Sequence, residues 1–150
     1  MTYTIGQVAE RFGLSEYTIR FYDKQGLLPF VKRNAAGRRE FTDDDLKTIN
    51  IIVCLKECGV KISEIHHFVD MLMAGDDTLE DRLAFFKQQQ ENALEQLERQ
   101  KKNLSKLDFK VRYYTAAVYE GTEAGIDGDC DVPNCPITVN GKVFDQDQVG

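Results

Sequence analysis

From Thr78 to Tyr119 the chain contains neither glycine nor proline, and side chains suited to a buried seam return at alternating intervals of four and three residues. They are Leu79, Leu83, Phe86, Gln90, Ala93, Leu97, Gln100, Leu104, Leu107, Val111, Tyr114 and Val118. Ten of these twelve are apolar, and a spacing that averages 3.5 residues is the mark of a coiled coil rather than of a helix laid on its own domain. At 1.5 Å per residue the segment predicts one helix about 60 Å long. The residues before it are too few to cover so long a stripe, so the pattern predicts pairing with a second copy. Gln90 and Gln100 would fix register at some cost in stability, or line a cavity.

The region before this helix reads as a series of short elements. Ile5, Val8, Ala9 and Phe12 share one face of a helix over 5–12, which Gly13 ends where a left-handed residue is needed. Ser15 is a good cap for a second helix to about Lys24, closed by Gly26. Two short helices joined by a tight turn form a helix-turn-helix. In LLPFVKRNAAGRREF, short apolar runs flank Asn34-Ala35-Ala36-Gly37, which predicts a hairpin wing. Thr42 with Asp43, Asp44 and Asp45 places a cap and three carboxylates at the start of a third helix, which runs to about Glu57 and buries Leu46, Ile49 and Val53. Gly59 ends it. Ser63 is expected to cap a fourth helix through Ala74, with Ile65, Phe68, Val69 and Leu72 inward. The expected organisation is a unit over 1–75, the dimerisation helix over 78–119, and a tail over 120–150.

The formal net charge of -6 would oppose binding to a polyanion if it were spread evenly. It is not. Residues 1–119 carry equal numbers of basic and acidic side chains, and the excess acid lies entirely in 120–150, where seven acids face one lysine. Within 15–41, six basic residues (Arg20, Lys24, Lys32, Arg33, Arg38, Arg39) outnumber Glu16, Asp23 and Glu40, a local patch able to face phosphate. The tail is rich in Gly and Asp and is read as mobile, with a short hairpin around Asn140-Gly141. No apolar run approaches a membrane span, and the N-terminus lacks a secretory pattern. Four cysteines are too few for a disulfide scaffold, which leads us to expect a cytoplasmic protein. No phosphate loop, nucleophile elbow or paired metal-ligand motif suggests an enzyme.

The stretch YTIGQVAERFGLSEYTIRFYDKQGLLP, with its Arg-aromatic-Tyr and Gly-Leu-Leu-Pro, and the segment AAGRREFTDDDL resemble the MerR family of transcriptional regulators over residues 3–119. The resemblance implies an all-α fold with a small β wing: a winged helix-turn-helix followed by a long antiparallel coiled-coil dimerisation helix. It implies operator contacts by Ser15, Tyr17, Thr18, Arg20 and Tyr22 in the recognition helix and by Lys32, Arg33, Arg38 and Arg39 in the wing. The implied partners are double-stranded operator DNA, RNA polymerase at the promoter and a second copy in a homodimer. The implied mechanism is distortion of an operator whose flanking promoter elements are too far apart, so that effector binding lets polymerase read both.

Three readings of the effector stay open. INIIVCLKECGVKISEI is similar to the aldehyde- or electrophile-responsive branch, in which a cysteine matches Cys54; Lys56 or Lys61 could favour its thiolate, although inert packing is the plain alternative. Cys58, one turn on, could resolve an oxidised Cys54. Cys130 and Cys135 in CDVPNCP resemble the loop of metal-responsive members, with Cu or Zn as the cofactor, although the loop is shorter and later in the chain than in those sensors. Tyr113, Tyr114 and Tyr119, with His66, His67, Phe68 and Met71, could instead line a pocket for a small organic ligand. His66 and His67 point about 100° apart on a helix and would not share one metal.

Overall fold

The computed structural model describes residues 1–149. They form two compact units, Met1–Glu91 and the segment from Asn92 onward. Among the described residues no helix is long and apolar enough to cross a membrane.

In the first unit, strand β1 (Thr2–Tyr3) leads into α1 (Ile5–Phe12) and α2 (Glu16–Lys24), followed by strands β2 (Lys32–Arg33) and β3 (Arg39–Thr42), then α3 (Asp43–Glu57) and α4 (Ile62–Ala74). Local chemistry accounts for each boundary. Thr4 and Gln7 form a reciprocal capping box at the start of α1, and Gly13 closes it in the left-handed region at φ 64°. Ser15 caps α2 by accepting from the Thr18 backbone N–H at 3.1 Å. Thr42 and Asp45 form a second capping box on α3, with three aspartates in the favourable end of the dipole. At α4 the sequence expectation is corrected. The cap position is Lys61 and no side chain caps it, so the helix starts at Ile62 and Ser63 is already inside its first turn.

The small sheet has β3 in its centre, paired antiparallel with β1 on one side and β2 on the other. Strand β1, at two residues, is too short to show alternation in the sequence. Phe41 on β3 is fully buried and joins Val8, Ile19, Leu27, Ile49, Ile65 and Phe68 in one core. On α3 the buried residues are Leu46, Ile49, Ile52 and Leu55, and Val53 is only partly buried. The inward face is thus turned by one residue from the expected one.

A short 3-10 turn, Asp76–Thr78, links α4 to the long helix α5 (Leu79–Glu120). The junction is tied by Arg82, which donates to the Gly75 carbonyl at 3.1 Å and to Thr78 Oγ1 at 3.1 Å, while Thr78 Oγ1 donates to the Met71 carbonyl at 2.6 Å. All twelve seam positions from Leu79 to Val118 are exposed in the single chain.

In the second unit, residues 120–149 are not the loose tail their composition suggests. Strands β4 (Ile126–Asp127), β5 (Thr138–Val139) and β6 (Lys142–Val143) form an antiparallel sheet in that order, with the expected hairpin at Asn140-Gly141. Ile137, only 2% exposed, packs with Phe109 and Ala116 of α5, and Tyr113, Ile126, Val139 and Phe144 surround them. A few well-spaced apolar residues thus order a segment that its charge and glycine content would leave unfolded.

Candidate nucleic-acid interface and sensor residues

Helix α2 and the β2–β3 hairpin carry the basic patch. On α2, Tyr17 is 76% exposed, and Arg20 is exposed and paired with Glu16 one turn earlier at 2.9 Å. Ser15 and Thr18 sit at the helix start, their hydroxyls 2.9 Å apart. Ser15 is thus first a cap, with its hydroxyl at the surface end of the helix. Tyr22 is set differently from Tyr17. It is 6% exposed and its ring belongs to the core, because it follows Ile19 by three residues on the buried face. Burial raises its hydroxyl pKa above the usual tyrosine value, which keeps the phenol protonated.

In the wing, Lys32, Arg33 and Arg38 are exposed, and side chains of the turn itself shape the hairpin tip. Asn34 Oδ1 accepts from the backbone N–H groups of Ala36 and Arg38, both at 3.0 Å, and Arg33 donates across the loop to the Gly37 carbonyl at 2.8 Å. Asn at the head of a four-residue turn was the available signal. Arg39 is placed differently from the other wing residues. Its side chain is 19% exposed and its Nε donates to Asp23 Oδ2 at 2.7 Å, so it braces the wing against the end of α2 rather than projecting from it. Asp23 has no local signature, since its partner lies sixteen positions away.

The acids within the patch face its bases. Glu16 pairs with Arg20, Asp23 with Arg39, and Glu40 stands opposite Lys32 across the strands. Tyr17, Lys24, Lys32 and Arg38 remain exposed around them, a positive, hydroxyl-bearing surface formed by one helix and one hairpin.

This helix-turn-helix region matches the MerR HTH family regulatory protein over residues 3–72. A relative from Haemophilus influenzae, an uncharacterized HTH-type transcriptional regulator, is 40% identical over 138 residues, which is 92% of this chain and 99% of that protein. The chain belongs to the MerR family of transcriptional regulators. Its fold agrees with solved family structures. HiNmlR, a MerR family regulator lacking the sensor domain and bound to promoter DNA, is similar at TM-score 0.72 and 42% identity over 82% of this chain and 98% of that one. A MerR family regulator from Bacillus thuringiensis is similar at TM-score 0.68 and 46% identity, over 74% of this chain and 97% of the other. These relatives are transcriptional regulators.

Cys54 lies on α3 and is exposed, as is Cys58 one turn later. The expected activation by Lys56 or Lys61 is not what the surroundings provide. The Cys54 thiol is pushed above its ordinary pKa, first by partial removal from water, then by the charge and hydrogen bond of Cys58, and last by Glu57. At neutral pH it is a thiol rather than a thiolate.

Among the described residues, Cys130 and Cys135 of the loop CDVPNCP do not share a cluster with a third ligand. Cys135 Sγ accepts from the Asp129 backbone N–H at 3.3 Å and lies 3.6 Å from the Pro136 carbonyl. The ligand atoms that do converge, all within 4.8 Å of one another, belong to Asp129, Cys130 and Asp131. One sulfur and two carboxylates are a harder donor set than two thiolates and suit Cu(I) poorly.

The residues of the organic-ligand reading separate between the two units. In the first, His67 and Met71 line an open groove of about 590 Å³ with Ser63, Glu64, Asp81 and Phe85, while Phe68 is buried in the core. His66 turns away from this groove and is 3.1 Å from Asp70. In the second, Tyr113 packs against Phe109, and Tyr119 against Phe144.

Proposed function

We propose that this chain is a dimeric regulator that binds operator DNA through α2 and the β2–β3 wing and alters transcription by distorting that DNA when an effector arrives. The observation that carries the reading is the exposed positive surface built by Tyr17, Arg20, Lys32, Arg33 and Arg38 on one helix and one hairpin. A second observation supports the dimer. Leu83, Leu97, Leu104, Leu107 and Val111 of the seam are each more than half exposed along α5, and a second copy would bury them. An antiparallel arrangement would place two recognition helices on successive major-groove faces, about 34 Å apart or a multiple of this. RNA polymerase is then the partner that reads the distorted promoter. Gel-shift binding to duplex DNA, with sedimentation of the free protein, tests this directly. A monomer that binds all duplexes equally would remove the proposal.

For the effector we favour a reactive electrophile such as an aldehyde, trapped at Cys54. Its exposure supports access, and its raised pKa restricts reaction to strongly reactive compounds, since attack requires the thiolate. Transcription in vitro with wild type and Cys54→Ser against a panel of aldehydes decides it. Retained induction in the variant would remove this sensor.

A further inference from the structure

An aspartate at the end of a DNA-facing helix is in an unfavourable position on two counts. Asp23 lies in the last turn of α2, where a negative charge opposes the helix dipole, and on the helix that also carries Tyr17 and Arg20 toward phosphate. Something must offset both. In the wing, Arg33 and Arg39 are direct cross-strand partners, and two like charges opposite each other destabilise a hairpin. The Asp23 carboxylate meets both of them, Arg39 at 2.7 Å and Arg33 at 4.0 Å. With side chains only 28% and 19% exposed, the Asp23–Arg39 bond is shielded far more than the Arg20–Glu16 pair on the same helix. It is the shorter of the two ion pairs by which Asp23 joins the recognition helix to the wing.

We infer that Asp23 is a positioning residue for DNA recognition: its bond to Arg39 sets the wing at a fixed angle to α2, so that Lys32, Arg33 and Arg38 reach the duplex while α2 is seated. This rests on the DNA-binding reading given above. Arg39 accordingly acts through Asp23 and not by touching DNA. A strut and a bare surface charge at Asp23 have opposite consequences for binding. Removing a negative charge from a DNA-facing surface should tighten binding to every duplex. Removing a strut should weaken binding to the preferred duplex alone, because only there do helix and wing engage together.

The test uses the full chain and a duplex selected by the wild type from a randomised library, with a scrambled duplex of equal length as control. A wild type that selects no sequence defeats the DNA-binding reading itself. Given a selected duplex, Asp23→Asn is expected to bind it roughly tenfold more weakly, to bind the scrambled duplex as well as or better than wild type, and to lose hydroxyl-radical protection only at the flanks reached by the wing. Asp23→Glu, which keeps the carboxylate, should restore most of the lost discrimination. The double variant Asp23→Asn/Arg39→Gln should be no worse than either single one, as expected when two residues act through one bond. Equal or tighter binding of Asp23→Asn to both duplexes, or losses that add in the double variant, would overturn the assignment. If Asp23→Asn does not fold at the assay temperature, Arg39→Gln removes the same bond from its other end and carries the same expected and overturning results.

Discussion

The Arg112 guanidinium donates to the Cys135 carbonyl at 2.8 Å while its carbon centre stands 5.7 Å from the Phe109 ring, so one side chain of α5 holds both the loop and the core of the C-terminal sheet. Arg112→Ala should therefore loosen residues 126–144 by about 2–4 kcal/mol, the sum expected for a charged hydrogen bond and a partly shielded cation–π contact. Amide hydrogen exchange should rise in that segment and remain unchanged in α1 to α4. Uniform exchange across the chain would mean that the sheet does not depend on this residue.

Arg20 is the α2 cation best placed to leave its partner for DNA, since an exposed pair one helical turn apart is worth only a few tenths of a kcal/mol. Arg20→Ala is expected to weaken operator binding by roughly tenfold or more and to reduce the slope of log affinity against log salt by about one if the contact is to phosphate. Glu16→Gln should do the opposite and bind modestly more tightly. A gel-shift series over salt concentration reads both.

The raised pKa of Cys54 predicts how its chemistry depends on pH. Below the pKa the thiolate fraction grows about tenfold for each pH unit, so alkylation of Cys54 should still be rising between pH 7 and pH 9 without a plateau. Replacing Cys58 with alanine removes the second and third causes of the shift, and should bring the profile down toward that of an ordinary thiol. Mass-resolved labelling rates check this, and a plateau near neutral pH in wild type would contradict it.

Gly26 closes the recognition helix at φ 76°, and a Cβ placed there would stand 2.9 Å from His66 Nε2 on α4. Gly26→Ala should cost about 1–3 kcal/mol from the backbone conformation, with a steric share added. The thermal unfolding midpoint of Gly26→Ala/His66→Ala should regain the steric share only. Full recovery would mean that the backbone conformation carries no strain.

Much of the first unit was legible because its signals are local. Thr42 with three aspartates, Ser15 before a helix and Gly13 after one each act within a single turn, and the observed boundaries of α1, α2 and α3 follow from them. The candidate site was harder to read where a residue's role depends on distant partners. Nothing near Asp23 announces Arg39, and Tyr22 looks like a surface hydroxyl until the core reveals its ring as part of the packing. The C-terminal sheet was obscured for a related reason. Its order comes from Ile137 meeting Phe109, a contact across 28 residues, while its composition resembles that of an unfolded chain.

The exposed seam of α5 makes protein concentration a thermodynamic variable for this molecule. If burial of Leu83, Leu97, Leu104 and Leu107 occurs only against a second copy, each chain's folding free energy includes an association term, and dilution withdraws it. The melting temperature should climb with total protein, and the amount of regulator a cell holds would set how much of it stays folded before any signal acts.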